Sequence, residues 1–582
     1  MIPTPTSKGN TVPSSHQGAM YLGEVSAGVA QTLEAARAAV DARSKYIQQL
    51  ARECATDYER YDLLYLHDPL DFEEYTAILR RIDRILQAIR ANRDTYEEPA
   101  AMWLAENFNR RAYTANESGW LSYLSAKHPA FFSKLQQVKP AALSESTRQK
   151  HTLIAAPNGW GKTELLKAPA HHYVASQSAA VVIIDPHGDM ARQIAQWPEL
   201  HKDGRMVFLR QAPSHGSLTA SLNPFDTHGL PPHALGMLAE HIAGALSEMV
   251  PESELTPRMH TAVRNCARVL LDVPGATLQD LRHMMKDKAL PRTKELIQTG
   301  QRHRDNELAE YFSDKFPTDR MTVSKDGIWD RMDDLLGDKG FRRWFCNPST
   351  ASLHDIIKRR QFLIMDISDL SGKARKTGGR LTLAMLAGIG SMRLADPRIG
   401  RTPVHVIVDE VNDLVGPSVL RILQEMRKAG IHLTMAQQVA GQGLSSDGRA
   451  SLFQNTAVKL MGGPLSGDVA RIIGAPRAGV APLSPGEFWG VWGQENEPFR
   501  LTVRRDLAQH HEKTSPGAWD AVIRKQLADY YRNPPPPPAP RAPEPAPQAA
   551  ERPQAQPGRN AQGQTAQSTN RRRSSRPWAP IE

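Results

Sequence analysis

The chain has 582 residues, of which 40% are apolar, so it can bury several hydrophobic cores and form roughly three to four domains. Its 72 basic and 62 acidic residues give a formal net charge of +10, which favours polyanionic partners such as nucleic acid without requiring one. Three cysteines without C-x-x-C spacing indicate neither a disulfide framework nor a structural zinc site, and no run approaches the ~20 apolar residues of a membrane helix. We therefore expect a cytoplasmic protein with no membrane span of its own.

The first 140 residues divide into two segments. Residues 1–20 are rich in Pro, Ser, Thr and Gly, a composition that predicts a disordered lead. In residues 21–140 apolar side chains recur at steps of three and four, most clearly between Phe72 and Ile89, which is one face of a helix. This pattern predicts an all-α N-terminal domain.

From Thr152 onward, short β-branched runs alternate with helical patterns, as buried parallel strands alternate with helices in α/β proteins. The runs predict one P-loop ATPase domain in two parts, residues 141–230 and residues 345–505. Between them, residues 231–344 show helical patterns and no convincing strand. We expect an all-α insertion there.

The end of the chain changes composition twice. Residues 506–532 continue as a helical extension, and residues 533–582 are rich in Pro and carry seven arginines and three glutamates. Such a segment has too few apolar residues to fold, so a disordered tail is predicted. Its positive charge permits weak, salt-sensitive DNA contact, although such tails also serve as solubilising linkers or docking segments.

The stretch HTLIAAPNGWGKTELL, which begins at His151, indicates a phosphate-binding loop. It matches G-x-x-x-x-G-K-[ST] except at the first glycine, and the apolar run before it predicts the strand–turn–helix context that such a loop needs. We expect the loop N–H groups to cradle the phosphates of ATP, Lys162 to reach the β- and γ-phosphates, and the Thr163 hydroxyl to bind Mg²⁺. The predicted nucleotide-binding residues of the loop are Asn158, Gly159, Trp160, Gly161, Lys162 and Thr163.

Two residues depart from the usual pattern of such a loop. Ala156 occupies the first glycine position, a turn that alanine can tolerate, whereas Gly161 lies where backbone and phosphate approach closely. Pro169 follows only six residues after Thr163 and should kink or shorten the helix. The alternative to a nucleotide site is an ordinary strand–turn–helix with a surface lysine.

A second acidic site is needed for hydrolysis, and the strand VHVIVDE supplies it at its end. We expect Asp409 to hold Mg²⁺ through water and Glu410 to act as the base that activates the attacking water. Taken alone, a strand that ends in Asp-Glu is equally consistent with a solvated strand end. Its position downstream of a phosphate loop in the same α/β domain favours the functional interpretation.

Polar residues near two further strands complete the candidate site. The strand IHLTMAQQ places Gln438 where a γ-phosphate sensor could lie. Before it, Arg427 has two interpretations that the sequence leaves open: a cation at a helix C-terminus, or an arginine finger for a neighbouring subunit. After the strand VVIID come Asp185, His187 and Asp189, for which we favour the edge of a nucleotide or DNA path over a metal site, with Asp185 near the nucleotide.

Seven stretches, taken jointly and in order, resemble the HerA and FtsK superfamily of P-loop motors: NGWGKT, IDPHGD, SLNPFD, TPRMHTAVRNCARVLLDVPGATLQDL, IVDE, EMRKAGIHLTMAQQ and LFQNTAVKLMGG. Within this superfamily the likeness is greatest to the conjugative coupling ATPases of type IV secretion, over roughly residues 152–503. The resemblance implies catalytic roles for Lys162, Glu410, Gln438 and Arg427, and metal ligation by Thr163 and Asp409. Arg258 also matches a position of the family, without an assigned role.

The resemblance further implies a hexameric ring that drives DNA through its centre by ATP hydrolysis, with a relaxase or secretion-channel proteins as partners. The predicted fold is α/β, a RecA-like P-loop NTPase domain with a helical insertion, an all-α N-terminal domain and a disordered Pro/Arg-rich tail. Typical coupling proteins carry an N-terminal transmembrane pair, whose place the predicted helical domain takes here. Recruitment to the inner membrane would then depend on partners.

Two other functions remain open at this stage. The same motor could be a soluble HerA-like helicase or a packaging ATPase, which differ in partners rather than in chemistry. The chain could also be a nucleotide-binding scaffold with little hydrolysis. Glu410 counts against the scaffold, because a scaffold has no need of a water-activating carboxylate.

Overall fold

The structure, a computed structural model, describes residues 20–25 and most of residues 139–534. Gaps within the second range fall at 227–229, 248–254, 287–288, 397–398, 412–413, 415–422, 442–443, 445, 474–482, 493–497, 505 and 510. The predicted lead before Met20, the predicted helices between residues 26 and 138, and the predicted tail after Pro534 lie outside the described residues.

One eleven-stranded sheet runs through the described part of the chain. Its strands are β1 (Met20–Val25), β2 (Lys139–Leu143), β3 (Thr152–Ala155), β4 (Ala180–Asp185), β5 (Met206–Arg210), β6 (Phe362–Asp366), β7 (Val404–Val408), β8 (Ile431–Gln437), β9 (Val458–Gly462), β10 (Glu487–Val491) and β11 (Pro498–Val503). Their spatial order is β2-β1-β11-β10-β9-β3-β8-β7-β4-β6-β5.

The seven strands from β9 to β5 in this order pair in parallel, and the remaining strands add to β9 as antiparallel neighbours. The parallel strands are continuous apolar runs. In β4, which reads AVVIID, every residue is buried, as expected for a strand covered by helices on both faces. The predicted α/β fold is confirmed.

Because the seven strands run the same way, their carboxyl ends meet along one side of the sheet and their amino ends along the other. We call these sides the carboxyl end and the amino end of the sheet. Ligands of open α/β sheets bind outside the carboxyl ends of the strands. The fold therefore indicates where a site should be sought.

The prediction of an all-α segment over residues 21–140 is wrong at both of its ends. There, β1 and β2 pair antiparallel with each other, and β1 also pairs with β11. The buried side chains of Met20 and Leu143 belong to these two strands. Strand β11 would otherwise leave a row of backbone donors and acceptors unpaired, and this long-range pairing is invisible to a local search for helical periodicity.

Helices cover the sheet and build the region between β5 and β6. They are α1 (Glu145–Arg148), α2 (Lys162–Ser176), α3 (Asp189–Ala195), α4 (Pro198–Lys202), α5 (Pro232–Ser247), α6 (Pro257–Leu271), α7 (Leu278–Lys286), α8 (Pro291–Gln301), α9 (Asn306–Glu310), α10 (Thr322–Gly337), α11 (Lys339–Phe345), α12 (Leu353–Lys358), α13 (Gly372–Ala395), α14 (Ser446–Asn455), α15 (Gly467–Ile472), α16 (Asp506–Gln509) and α17 (Pro516–Tyr530). Within the ranges given above, none of them combines the length and the apolar character that a bilayer crossing requires.

Helix α2 shows that Pro169 does not shorten the helix after the phosphate loop, so that part of the expectation is wrong, and a kink at Pro169 stays a prediction. The helix continues through Pro169 to Ser176. Proline lacks the N–H that would bond to the carbonyl four residues earlier. The neighbouring Ala168, Ala170 and Tyr173 are fully buried in the domain, and this tertiary packing holds the helix in place of the missing bond.

Helix α17 and the residue after it cover the exposed side of β5, the last strand of the sheet. The side chain of Gln526 accepts a hydrogen bond from Phe208 N at 2.8 Å and donates one to Met206 O at 3.0 Å. The Tyr531 hydroxyl accepts from Arg210 N at 2.8 Å. These side chains replace the neighbouring strand that β5 lacks, which protects the sheet from pairing with another chain.

Candidate active site

The phosphate loop joins β3 to α2, which is the context that the sequence predicts. Gly159 and Gly161 have φ angles of 77° and 99°, a left-handed conformation that glycine adopts at little cost. Ala156 is not among the residues with positive φ, and its N–H donates to Gln437 O at 3.1 Å, extending the pairing of β3 with β8. The first glycine of the pattern is therefore dispensable in this chain, because the backbone at Ala156 continues the strand.

Lys162, the first residue of α2, is buried beneath this loop. Its Nζ donates to Ala156 O at 2.8 Å, to Pro157 O at 3.3 Å and to Asn158 Oδ1 at 3.3 Å. Burial lowers the pKa of Lys162, and the carboxylates of Glu410 and Asp409 oppose that shift. The ammonium group is thus held at the centre of the loop, where its three donors suit phosphate oxygens.

Asp409 and Glu410 directly follow β7, which is separated from β3 by β8 alone. The Glu410 N–H donates to Asp409 Oδ1 at 2.9 Å. Glu410 has φ of 48°, one of three non-glycine residues with positive φ in the described ranges. A left-handed backbone costs a glutamate roughly 1–3 kcal/mol, and such strain clusters at functional sites.

Acidic groups crowd together around Asp409. Burial and, next, the carboxylate of Asp185 raise the pKa of Asp409 to about 6. A divalent cation at this point would offset that repulsion. The Thr163 hydroxyl and the Asp409 carboxylate are the hard oxygen ligands that Mg²⁺ takes together with substrate phosphates, so the residues fit the ion.

Gln438 follows β8 and lies between the phosphate loop and the acidic pair. Its Nε2 donates to Glu410 Oε1 at 3.2 Å. The glutamine and the glutamate are therefore in direct contact, which places a polar amide beside the predicted catalytic base.

Asp185, at the end of β4, has both carboxylate oxygens engaged by backbone donors. Oδ1 accepts from His187 N at 2.9 Å and Oδ2 from Ala191 N at 2.8 Å. These bonds fix the start of α3 beside Asp409. Among the described residues, no group of three or more His, Cys, Asp and Glu side chains is placed to hold a metal ion.

A cavity of about 660 Å³ at the carboxyl end of the sheet brings the predicted residues together. Its lining contains Asn158, Gly159, Trp160, Gly161, Lys162, Thr163, Asp185, Asp409, Glu410 and Gln438. This volume lies within the range of roughly 300–1,000 Å³ that is typical of small-molecule sites.

Arg427 is the one predicted site residue that does not line this cavity. It is exposed in a short 3₁₀ segment, Arg427–Ala429, immediately before β8. Gln438 follows the other end of that seven-residue strand, so the two residues are separated by roughly 20 Å. Arg427 belongs to the amino end of the sheet and does not reach the cavity of its own chain.

Arg258 lies elsewhere again, in the first turn of α6. It lines a second cavity, of about 690 Å³, formed by α6 and the segment around Glu307–Met321. The structure thus separates Arg258 from the phosphate loop.

Three glycines that support the site escaped the sequence analysis. A Cβ on Gly463 would lie 2.6 Å from Pro157 Cδ, and one on Gly462 would lie 2.9 Å from Ala156 Cβ, so both glycines let β9 approach the phosphate loop. A Cβ on Gly188 would lie 2.2 Å from the Asp366 carboxylate. The Gly-Gly pair at the end of the AVKLMGG run is a sequence signal for such a close approach of two backbones.

No protein-family model and no curated protein sequence matches this chain. Among solved structures, the chain is similar to the unbound bacterial conjugative coupling protein TrwBdeltaN70, with a TM-score of 0.45 and 14% identity over 64% of this chain and 89% of that chain. It is also similar to TrwB in complex with ADP and Mg²⁺, with a TM-score of 0.45 and 15% identity over 64% of this chain and 89% of that one.

VirB4 of Thermoanaerobacter pseudethanolicus gives a TM-score of 0.38 and 17% identity, over 61% of this chain and 89% of that chain. At these scores the roles of individual residues rest on the geometry of the site itself.

Proposed function

We propose that this chain is an ATP-hydrolysing motor of the conjugative coupling type, which moves DNA and works as a hexameric ring. The observation that carries the proposal is the convergence of a lysine, an acidic pair and a glutamine on one cavity, each from the carboxyl end of a different neighbouring strand. The formal net charge of +10 and the motif order support DNA as the partner.

In the proposed reaction, the loop N–H groups and Lys162 bind the β- and γ-phosphates of ATP. Mg²⁺ held by Thr163 and, through water, by Asp409 would neutralise charge on the phosphates. The Glu410 carboxylate takes a proton from a water whose oxygen attacks the γ-phosphorus, while the bond from that phosphorus to the β–γ bridging oxygen breaks. The Gln438 amide, 3.2 Å from Glu410, orients the base.

Arg427 is proposed to act on the nucleotide of a neighbouring subunit. Its position at the amino end of β8 keeps it from its own cavity, whereas a ring can bring it to the next one. An arginine supplied in this way stabilises the charge of the transition state and raises hydrolysis by roughly 10³–10⁵-fold in systems that use one.

The first test measures ATP hydrolysis by the purified chain with and without single- and double-stranded DNA, together with its mass in solution. We expect a DNA-stimulated oligomer, no nucleotide binding by Lys162→Ala, and binding without hydrolysis by Glu410→Gln. A monomer that hydrolyses ATP regardless of DNA would contradict the proposal of a DNA-moving ring. Binding without turnover in the unmodified chain would favour the scaffold.

The second test mixes inactive subunits. Arg427→Ala and Glu410→Gln chains should each be inactive alone and regain part of the hydrolysis when mixed, because a ring then contains sites with an intact glutamate beside an intact arginine. Mixing Lys162→Ala with Glu410→Gln is the matched control, because both residues line the cavity of their own subunit and every site of the mixed ring then lacks one of them. Recovery in the control, or none in the first mixture, contradicts a role in trans.

A further inference from the structure

The cavity has a second group of lining residues that the phosphate chemistry does not use: Met190, Gln193, Pro485, Gly486, Val503 and Arg504. We propose that this group holds the nucleoside half of the nucleotide, and that the side-chain amide of Gln193 donates a hydrogen bond to it. The proposal rests on the proposed function, because it takes the phosphates to be bound by the loop.

Helix α3 presents Gln193 to the cavity. The helix starts after the left-handed Gly188, and Asp185 fixes its first turn through the N–H of Ala191. Met190 and Gln193 are three residues apart and therefore share a face of the helix. Both line the cavity, so the amide side chain faces the cavity from a rigid element.

Lys167 determines which way the Gln193 amide points. This lysine of α2 is fully buried, and its Nζ donates to Gln193 Oε1 at 2.5 Å. An ammonium group has donors and no acceptor, so the amide oxygen must face Lys167 and the NH₂ group takes the opposite side. Within the described residues, no hydrogen bond to the Gln193 NH₂ group is formed, and the residue is half-buried at the cavity.

Glu164 of the same helix favours the charged form of Lys167. Burial lowers the pKa of Lys167, and the carboxylate of Glu164, one turn earlier, opposes that shift. Lys167 and Glu164 are both buried, and neither takes part in the proposed hydrolysis. Its consequence is a glutamine held in one orientation, with a donor available to the cavity.

The remaining wall suits an aromatic ring. Met190, Pro485 and Val503 offer an adaptable thioether and two apolar surfaces, the lining typical of pockets that hold the planar part of a ligand. The wall is tied to the phosphate loop, because Gly486 N donates to Trp160 O at 3.1 Å and Val503 N donates to Gly486 O at 2.8 Å. A nucleoside offers ring nitrogens and ribose oxygens as acceptors for the Gln193 donor.

The test compares the binding of ADP with that of inorganic pyrophosphate, which is the phosphate part of ADP, by calorimetry in the presence of Mg²⁺. Gln193→Glu keeps an acceptor for Lys167 and removes the donor. We expect it to weaken ADP binding by about 3- to 10-fold, the loss of one hydrogen bond, and to leave pyrophosphate binding within about 2-fold. Gln196→Glu, at the residue that directly follows α3 and lies outside the cavity, is the matched control and should change neither.

Two results would overturn the inference. If Gln193→Glu binds ADP as tightly as the unmodified chain, Gln193 makes no hydrogen bond to the nucleoside. If the variant loses affinity for ADP and pyrophosphate equally, the change acts on the phosphates and not on the nucleoside. Lys167→Met should weaken ADP binding selectively as well, because the amide is then free to turn; an effect on both ligands would contradict its positioning role. Failure of the unmodified chain to bind either ligand would instead contradict the proposed function itself.

Discussion

The two ends of the parallel sheet use buried polar residues in opposite ways. At the carboxyl end, Lys162, Asp409 and Glu410 surround an open cavity, with crowded carboxylates and a left-handed glutamate. At the amino end, His405 and His432 face each other across β7 and β8, with ring centroids 5.1 Å apart and hardly any exposed surface. The carboxyl end is strained and open to solvent, whereas the amino end is closely packed and buried.

The amino end packs buried histidine rings against one another and against Tyr173. Among the described residues, His405 Nε2 and His432 Nδ1 are buried without a hydrogen-bond partner, whereas both ring nitrogens of His151 are bonded. The His405 ring stacks on Tyr173 with centroids 4.1 Å apart. His151, immediately before β3, accepts from Leu433 N through Nδ1 at 2.9 Å and donates from Nε2 to Leu423 O at 2.9 Å. A protonated ring could not accept at Nδ1, so this arrangement requires neutral histidine. The difference between the ends separates residues that serve chemistry from residues that serve stability.

The largest expected effect lies at the carboxyl end and on rate. Glu410→Gln should lower the rate of ATP hydrolysis by roughly 10²–10⁴-fold, the usual contribution of a general base, because the amide cannot take the proton of water. Its free energy of unfolding should stay within about 1 kcal/mol of the unmodified chain, since the residue is at the surface of the cavity. Single-turnover hydrolysis and denaturant unfolding measure the two quantities.

The matched change at the amino end is His432→Asn, which should lower the unfolding free energy and leave the hydrolysis rate of the folded protein unchanged. An equal loss of the hydrolysis rate in Glu410→Gln and His432→Asn would contradict the assignment of chemistry to the carboxyl end and of stability to the amino end.

The second effect is the pH dependence of stability at the amino end. Burial lowers the pKa of His151 to about 4 and that of His432 to about 4, with neighbouring cationic groups contributing. The unfolded chain therefore binds more protons than the folded chain between pH 6.5 and 4, and stability falls as the pH decreases through this window. Each histidine accounts for about 3 kcal/mol over that range, since one pKa unit corresponds to ~1.4 kcal/mol.

Denaturant unfolding between pH 7.5 and 4.5 measures this slope. His151→Asn should lower stability at pH 7 and flatten the slope, because asparagine does not titrate. The control is His354→Gln, at a side chain that is one-third exposed on α12, which should leave the slope unchanged. An unfolding free energy that stays constant from pH 7 to 4.5 would show that burial does not lower the pKa values of His151 and His432.

The third effect has the opposite sign, at the carboxyl end. Because the pKa of Asp409 is raised to about 6, the folded chain binds more protons than the unfolded chain between pH 4 and 6, so Asp409 costs stability as the pH rises through 6. Asp409→Asn should raise the unfolding free energy at pH 7.5 by about 1–3 kcal/mol and abolish hydrolysis. Below pH 4 the two proteins should be equally stable.

Asp189→Asn is the control, since this exposed aspartate lines the same cavity without burial. A destabilised Asp409→Asn protein at pH 7.5 would mean that the acidic group holds the fold together rather than straining it.

The parallel strands and the residues directly after them were predictable from sequence, because both depend on local composition. Continuous apolar runs mark β3 and β7, and polar residues at their ends mark the site. The antiparallel strands β1, β2, β10 and β11 were not predictable in this way, since their pairing is set by partners distant in sequence. His151, His405 and His432 also carry no local signal, because each lies in or beside an ordinary apolar strand. The register of β7 with β8 brings His405 to His432, and the pairing of β3 with β8 brings His151 to them.

The glycine positions of the phosphate loop provide the smallest expected effect. Ala156→Gly restores the usual pattern, yet the backbone there extends β3 rather than turning left-handed, so glycine supplies a freedom that the fold does not use. We expect ATP affinity within about 2-fold and a loss of unfolding free energy of roughly 0.5–1 kcal/mol, the usual cost of glycine in a regular element. Gly161→Ala, at a φ of 99°, should instead cost about 1–2 kcal/mol in the loop and weaken nucleotide binding. If Ala156→Gly tightened ATP binding by tenfold, alanine would be a defect in the loop; an unchanged affinity would show that the carboxyl end of the sheet needs glycine only where the backbone turns.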